Sequence, residues 1–426
     1  MAAVIDRIGI AYRKEYEKNP VSTLFLTILI VCLIIFVVAA IITAGDSARQ
    51  VLVTDPNNTF MDYFNSIKYG VEGPYAKWKV IYPPLVTIMY TVLGHFLVPF
   101  VDVPPGEELS FAMRYTQMGM MSFFVITILT FFLLHWIFKK VMKNTDIRIE
   151  LLFFMMMLSY PFIYALERGN SILLALAFCL IFLLGYRSEN KVIRYLSYIA
   201  LGFAAGFKTY PAILWLLLAR ERRYKEAGIC AAIVVALLLV PFIFTDGNLL
   251  DYLDTVLTYS GSVAGVTNIN QLITGLLHKA MGISETASSV VSYTVVGLFT
   301  LLSFIVILFD KEMKHWKVVA LLSCNLILGF GVGCQYQMVY MAIPILYFLI
   351  SEKKMTKENC FYTICLAMSV ALIPGIIVMD IHPSWIVGGI ETMFVIAVAV
   401  ALLREGVGRL YRKRRDAAER RCDVPA

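Results

Sequence analysis

Long hydrophobic runs separated by short polar segments repeat along the whole chain. Several runs approach the length of about 20 residues with which a helix crosses a hydrocarbon core of about 30 Å. Alternating segments of about 10 residues, which a membrane barrel requires, are absent. The pattern therefore predicts an all-α polytopic membrane protein with about twelve membrane segments. These segments lie near 22–44, 114–138, 149–166, 171–186, 195–207, 210–219, 227–245, 287–309, 317–333, 337–350, 359–379 and 384–403.

Two neighbouring segments, 195–207 and 210–219, are too short to cross a bilayer alone and flank the sequence "FKTYPA". We interpret them as half-helices broken around residues 208–211. A broken helix at membrane depth is tolerated where protein surrounds it or where it lines a wet cavity. The break is therefore a candidate wall of a functional site.

The composition agrees with a membrane protein, since 59% of the residues are hydrophobic and 16% are charged. Soluble domains have about 45–50% apolar and about 25% charged residues. The first run is too long for a signal peptide and lacks a cleavage site, which predicts a retained helix. We expect one transmembrane domain, residues 1–426, made of the first span 22–44, an outer loop with juxtamembrane helices 45–113, a catalytic module 114–286, C-terminal spans 287–403 and a basic cytoplasmic tail 404–426.

The positive charges set the predicted orientation. If the apolar segment 85–100 lies in the outer leaflet instead of crossing, 29 of the 37 Lys and Arg residues fall on one side. Cytoplasmic loops carry an excess of Lys and Arg, so we expect both termini to lie in the cytoplasm. We expect the membrane to be the plasma membrane. The net charge of +7 does not indicate nucleic acid, because the basic residues form short runs between spans. The unusual polar residues then face the extracytoplasmic side.

The first outer loop contains "MDYFNSIKYG", in which Asp62 precedes the aromatic residues Tyr63, Phe64 and Tyr69. Aromatic side chains suit the headgroup level, so this stretch predicts an interfacial amphipathic helix that carries an acid. Asp62 is our candidate general base, with a solvated surface carboxylate as the alternative. Asp55 is the rival base.

Three cations, Arg114, Arg168 and Lys208, stand at outer boundaries of apolar segments. A cation at such a boundary is costly unless it is paired or binds an anion. Arg168 has Glu167 as a local partner, and Lys208 can alternatively extend to the membrane surface. We predict that the three cations bind a phosphate group.

Neutral polar residues cluster at the same predicted outer helix ends. Their side chains can bind sugar hydroxyls, or they can form the interhelical hydrogen bonds that are common in membrane bundles. We expect sugar or acceptor contacts from Tyr82, Glu167, Asn170, Tyr210, Asn270, Gln271, Gln335 and Gln337. We predict no metal site, because no Asp-x-Asp pair lies in an outer loop, and we predict no cofactor.

The ordered motifs "MDYFNSIKYG", "GPY", "YPPL", "RGNSI", "GFAAGFKTYPAILWLLLARERRYKE" and "NINQLITGLL" span roughly residues 20–280. Together they resemble the C-superfamily of integral-membrane glycosyltransferases. In particular they resemble glycosyltransferase family 87, the polyprenyl-phosphate-mannose-dependent mannosyltransferases. Asn170 stands where this family more usually has Gln, and Leu272 where it has Ser.

The resemblance implies long helices, juxtamembrane helices in the first outer loop, and a lipid-phosphate-sugar donor used at the outer face. It also implies that Asp62 is the catalytic acidic residue, which would deprotonate an acceptor hydroxyl for an inverting attack. A lipid or glycan acceptor and membrane lipids are the expected partners. The oligomeric state is open.

A transporter or flippase for lipid-linked sugars is the alternative function. It requires a site near the bilayer midplane. Only Glu391 lies clearly inside a predicted span. A scaffold protein is the third class, and it leaves the outer polar residues without a role.

Overall fold

The structure is a computed structural model that describes residues 2–53, 56–143, 145, 147–262, 266–329, 333–375 and 383–422. These residues form helices and loops and no strands, which confirms an all-α protein. The helices of the N-terminal part are α1 (Ala2–Lys18), α2 (Pro20–Ile42), α3 (Asp46–Leu52), α4 (Met61–Glu72), α5 (Pro84–Leu97) and α6 (Leu109–Tyr115).

The remaining helices build the rest of the bundle. They are α7 (Gln117–Val141), α8 (Ile149–Met157), α9 (Tyr160–Arg168), α10 (Ile172–Gly185), α11 (Lys191–Phe207), α12 (Leu216–Arg220), α13 (Tyr224–Leu239), α14 (Leu249–Ser262), α15 (Ile269–Thr274), α16 (Glu285–Phe309), α17 (His315–Leu328), α18 (Ala342–Ser351), α19 (Lys357–Met368) and α20 (Pro383–Cys422). Short 3₁₀ turns cover Pro56–Asn58, Val98–Phe100, Tyr210–Trp215, Val240–Phe244 and Gln335–Met341, and a π turn covers Gly275–Ala280.

Five helices of the described chain are long and apolar enough to cross a membrane, or six if the bent pair α8 and α9 forms one span. The predicted total of twelve is therefore not confirmed, because several predicted segments are shorter apolar helices here. The predicted division of the chain into spans, loop and basic tail stays a prediction. Helix α20 continues without interruption from the apolar segment to Cys422.

The core lies around α10 and α17. Every residue of α17 from Trp316 onward is buried, and α10 is buried over most of its surface. A helix that is apolar on all sides belongs in the interior of a bundle. By contrast, α2, α7 and α16 expose many large apolar side chains, as helices that face lipid do. The long apolar helices thus surround the shorter buried ones.

The predicted break between two half-helices is present. Helix α11 ends at Phe207, and the chain resumes at Tyr210 as a 3₁₀ turn that leads into α12. Pro211 lies at the start of this turn, where its missing N–H costs no hydrogen bond. Lys208 therefore lies between two helices at their junction.

Loops predicted on opposite sides of the membrane lie at opposite ends of the bundle. At one end, Asp62 contacts Arg168. At the other end, Arg187 binds Glu221 and Lys314 binds Glu352. This separation agrees with the alternating topology, and the orientation in the membrane stays a prediction.

Both ends of the segment 85–100 connect to the Asp62 end of the bundle. Before it, the hydroxyl of Tyr82 accepts a hydrogen bond from Asn170. After it, Glu108 forms an ion pair with Lys68 of α4. The segment therefore begins and ends at the same end of the bundle, as an outer-leaflet helix would. The depth of the segment in the membrane stays a prediction.

A buried ion-pair cluster joins α17, α19 and α20 at the other end of the bundle. The Lys317 side chain is 5% exposed and binds Glu358 and both carboxylate oxygens of Glu405. Arg409 binds Glu405 and Asp310 in the same cluster. Because α17 is central, this cluster connects the core to the long C-terminal helix.

We predict that Lys317→Met destabilises the protein by about 2 kcal/mol, since it removes the buried cation that Glu405 and Glu358 share. The measurement is the free energy of unfolding by denaturant in mixed micelles. The matched control is Lys413→Met, because Lys413 and Glu312 form a pair that is 71% and 72% exposed. Such an exposed pair contributes less than about 1 kcal/mol. Equal effects of the two substitutions would show that the cluster has no special stabilising role.

Candidate active site

The carboxylate of Asp62 is held by two donors at the C-terminal end of α9, one from its last residue and one from the residue after Gly169. Nη2 of Arg168 lies 2.7 Å from Oδ1, and Nδ2 of Asn170 lies 2.7 Å from Oδ2. Asp62 occupies the first turn of α4, where the positive end of the helix dipole also favours a carboxylate. Each oxygen keeps a lone pair for a further donor. The carboxylate is thus fixed in place and still able to accept a hydrogen bond.

A close backbone contact brings α4 and α9 together. Gly169 has φ +67°, and a Cβ there would lie 3.0 Å from the Tyr63 Cβ and 3.1 Å from the Phe60 carbonyl oxygen. The amide of Phe60 donates to the carbonyl of Glu167 at 2.6 Å, and the Thr59 hydroxyl donates to its carboxylate at 3.0 Å. Glu167 therefore contacts the chain that precedes α4, and Gly169 provides the space that α4 requires.

Lys208 places a buried cation beside this carboxylate. Its side chain emerges where α11 ends, the residue is 7% exposed, and Nζ lies 4.3 Å from the ring centre of Tyr82 and 5.3 Å from that of Tyr336. Across the described ranges, no carboxylate forms an ion pair with Lys208. Burial lowers the pKa of Lys208 to about 8, against the opposite effect of the nearby Asp62. A buried cation without an acidic partner is costly and is a suitable site for an anion.

An aromatic wall completes the arrangement. The ring of Tyr336 stacks on that of Tyr164 with centroids 6.1 Å apart, and Tyr164 precedes Arg168 by one helical turn on α9. The thiol of Cys334 lies close enough to Asp62 and Lys208 to interact with their charges. Burial raises the pKa of this thiol. A raised pKa keeps the thiol neutral, so Cys334 contributes shape and not charge.

Sequence reasoning missed Tyr164, Cys334 and Tyr336. Gln335 and Gln337 are buried, whereas Tyr336 between them is partly exposed and reaches Lys208. A tyrosine inside the predicted outer loop "GCQYQM" was the available signal for this residue. Tyr164 has the spacing to Arg168 that places both on one helix face.

The other predicted ligands do not contact Asp62. Arg114 binds backbone carbonyls of the loop before α4. Asn270 accepts a hydrogen bond from Ser292, and Gln271 donates to the carbonyl of Gly333 at 2.9 Å. Tyr210 packs edge to face on Tyr340, with centroids 5.6 Å apart. Their predicted roles as ligands stay untested.

Gln335 packs closely against Gly388 of α20, where a Cβ would lie 2.8 Å from the Gln335 Cγ. Gln337 is 1% exposed, so it lies in the bundle interior. Asp55, the rival base, lies outside the described residues. Among the residues that the structure does describe, no three His, Cys, Asp or Glu side chains could hold a metal ion together. Independence of metal stays a prediction.

Two cations and two acids lie at this end of the bundle. Arg168 has both Asp62 and Glu167 within electrostatic reach. Lys208 forms no ion pair among the described residues, so it is the cation that could pair with a bound anion. The polar groups, the aromatic wall and the helical membrane fold together define a membrane protein with acids and cations gathered at one end of its bundle.

The chain belongs to glycosyltransferase family 87, whose family model matches residues 80–332. The protein is therefore a glycosyltransferase, and the resemblance stated from the sequence is confirmed. The matched region contains Tyr82, Arg168, Asn170 and Lys208, whereas Asp62 precedes it. Neither the curated proteins nor the solved structures contain a match to this chain.

We predict that Gly169→Ala slows sugar transfer about 100-fold, because a displacement of about 1 Å at a catalytic group can cost that much. The new Cβ would push Phe60 and Tyr63 away and separate Asp62 from Arg168. The measurement is the transfer rate at saturating substrates. The matched control is Gly228→Ala, since nothing lies within 4 Å of a Cβ at Gly228. Wild-type rates in both variants would show that the contact does not position the acid.

Proposed function

We propose that the protein transfers a hexose from a polyprenyl-phosphate-sugar donor to a lipid or glycan acceptor at the extracytoplasmic face of the plasma membrane. We propose mannose as that hexose. The observation that carries the proposal is the buried Lys208, which lacks an acidic partner in the described chain and lies beside the Asp62–Arg168 pair. A donor phosphate is the anion that such a site suits. Membership of a glycosyltransferase family favours transfer over transport of a lipid-linked sugar.

In the proposed reaction, Asp62 accepts the proton of the acceptor hydroxyl. The acceptor oxygen forms a bond to the anomeric carbon on the side opposite the phosphate, and the bond between that carbon and the phosphate oxygen breaks. The sugar is transferred with inversion, and polyprenyl phosphate leaves. The proton on Asp62 then passes to water, which restores the base.

The position of Arg168 suits the movement of charge in this reaction. Negative charge disappears from Asp62 as the proton arrives and appears on the leaving phosphate. Arg168 is bonded to Asp62 at 2.7 Å, and this attraction weakens when the carboxylate becomes neutral. Arg168 and Lys208 can then stabilise the leaving group, which is the kind of prearranged electrostatic help that lowers a barrier most.

The site surroundings suit a sugar beside this phosphate. Tyr82 and Tyr336 present aromatic rings on either side of the Lys208 amine. Asn170 offers an amide that already contacts Asp62 and the Tyr82 hydroxyl. We propose that the hexose ring packs on these tyrosines and that Asn170 contacts a sugar hydroxyl.

We predict that Asp62→Asn reduces sugar transfer at least about 100-fold, since a general base contributes that much or more. The assay follows release of polyprenyl phosphate from polyprenyl-phosphate mannose with candidate acceptors. The matched control is Asp102→Asn, an exposed acid of the same outer segment that should keep the wild-type rate. Full activity of Asp62→Asn would reject the base assignment. Transfer undetectable with every common sugar would instead favour transport.

We predict that the donor KM rises as the pH passes through about 8. The pKa of Lys208 is lowered from 10.5 to about 8, so the amine is charged below this pH and neutral above it. The phosphate therefore loses one positive contact in alkaline solution. Donor KM measured from pH 6 to 10 tests this dependence.

Two variants separate Lys208 from other groups that titrate in this range. Lys208→Arg should move the rise of the donor KM to higher pH, because arginine stays charged. Lys79→Gln, which removes an exposed lysine of the outer segment, should leave this rise at the wild-type pH. A rise of the donor KM at the wild-type pH in Lys208→Arg would contradict the role of Lys208 in donor binding.

A further inference from the structure

Arg114 organises the loop that precedes α4. Its Nη1 lies 3.2 Å from the carbonyl oxygen of Pro56, 3.1 Å from that of Asn57 and 3.2 Å from that of Thr59. Its Nη2 donates to the Tyr115 hydroxyl at 2.7 Å. In the described part of the chain, no carboxylate forms an ion pair with Arg114. The two hydrogens of Nη1 are therefore shared among three backbone carbonyls.

Three carbonyls that converge on one point repel each other unless a cation lies between them. Hydrogen bonds from a charged donor contribute about 1.5–3 kcal/mol in proteins, more than neutral ones. The flat guanidinium also lies 5.3 Å from the ring centre of Phe111 and 4.9 Å from that of Tyr115, which fixes its direction. The shape of the loop thus depends on this one side chain.

The loop leads directly into a strained residue. Phe60 has φ 62° and ψ 7°, a left-handed conformation that costs a residue with a side chain about 1–2 kcal/mol. Such a conformation persists only where its surroundings enforce it. The amide of Phe60 is bound to Glu167 at 2.6 Å on one side, and the carbonyl of the preceding Thr59 is bound to Arg114 on the other.

We infer that Arg114 is a positioning residue that holds Phe60 in its strained conformation and so places Asp62, two residues later, against Arg168. This inference rests on the proposed role of Asp62 as the base. It replaces the expectation that Arg114 binds the donor phosphate. The two roles differ in kinetics, because a phosphate ligand sets donor affinity whereas a positioning residue sets the rate of the chemical step.

The test compares Arg114→Gln with Arg49→Gln in the full-length protein with polyprenyl-phosphate mannose. Arg49 is the matched control, since it is an exposed arginine of the same outer segment that pairs with Asp46, three residues earlier. For Arg114→Gln we expect kcat to fall about 10- to 100-fold, with the donor KM within about twofold of wild type. Arg49→Gln should change neither.

Three results would overturn the inference. A rise in donor KM at unchanged kcat would make Arg114 a phosphate ligand. Wild-type values of both constants would leave Arg114 without a role in the reaction. A fall in kcat in Arg49→Gln equal to that in Arg114→Gln would show a general effect of charge at this face.

Amide hydrogen exchange provides a readout that does not depend on the reaction. Arg114→Gln should speed exchange of the Phe60 amide and leave peptides from α10 unchanged. Faster exchange in a protein that transfers no sugar from any polyprenyl-phosphate donor would reject the proposed function and keep the positioning role. Unchanged exchange would reject the positioning role itself.

The conservative variant Arg114→Lys keeps the charge without the planar fork that reaches several carbonyls. We expect its kcat and its Phe60 exchange to lie between those of wild type and Arg114→Gln. If Arg114→Gln does not fold, Arg114→Lys carries the same comparison. Wild-type kcat and exchange in Arg114→Lys, together with a folded and fully active Arg114→Gln, would contradict the inference.

Discussion

The hydrogen bonds that Arg168 and Asn170 donate to Asp62 join the first outer segment of the chain to the helical bundle. They fix the carboxylate beside the partly buried Arg168 and near the buried Lys208. The contact requires Gly169, because any side chain there would meet Phe60 and Tyr63. It also requires a left-handed residue at Phe60. The placement of one carboxylate therefore explains an otherwise unfavourable local backbone.

The second constraint is the burial of Lys208 at the break between two half-helices. Lys208 follows the last residue of α11, and its amine lies 4.3 Å from the ring centre of Tyr82 and 5.3 Å from that of Tyr336. The break provides room for the cation, and the surrounding rings partly compensate its lost hydration. The fold thus places an acid and a cation side by side at one end of the bundle, and the proposed transfer from a phosphate donor uses both.

Hydrophobic periodicity was sufficient to predict the helical membrane fold and the break before Tyr210. The roles of Asp62, Arg168 and Lys208 stay predictions. The total number of spans could not be predicted reliably, because α10 and α17 are apolar through burial in protein and are short. Arg114 was expected at the phosphate because its boundary position resembles that of Arg168. Sequence spacing cannot show that three carbonyls from a distant loop converge on it. Tyr336 was missed because it belongs to a 3₁₀ helix, and this local geometry, which spacing in the sequence does not reveal, brings its ring to Lys208.

The most direct measurement is a structure of the protein, carrying Asp62→Asn to slow turnover, with polyprenyl-phosphate mannose bound. A phosphate oxygen within hydrogen-bond distance of the Lys208 amine, with the anomeric carbon between the phosphate and residue 62, is the predicted result. A donor phosphate bound at the opposite end of the bundle, near Arg187 and Glu221, with Lys208 out of contact, would contradict it.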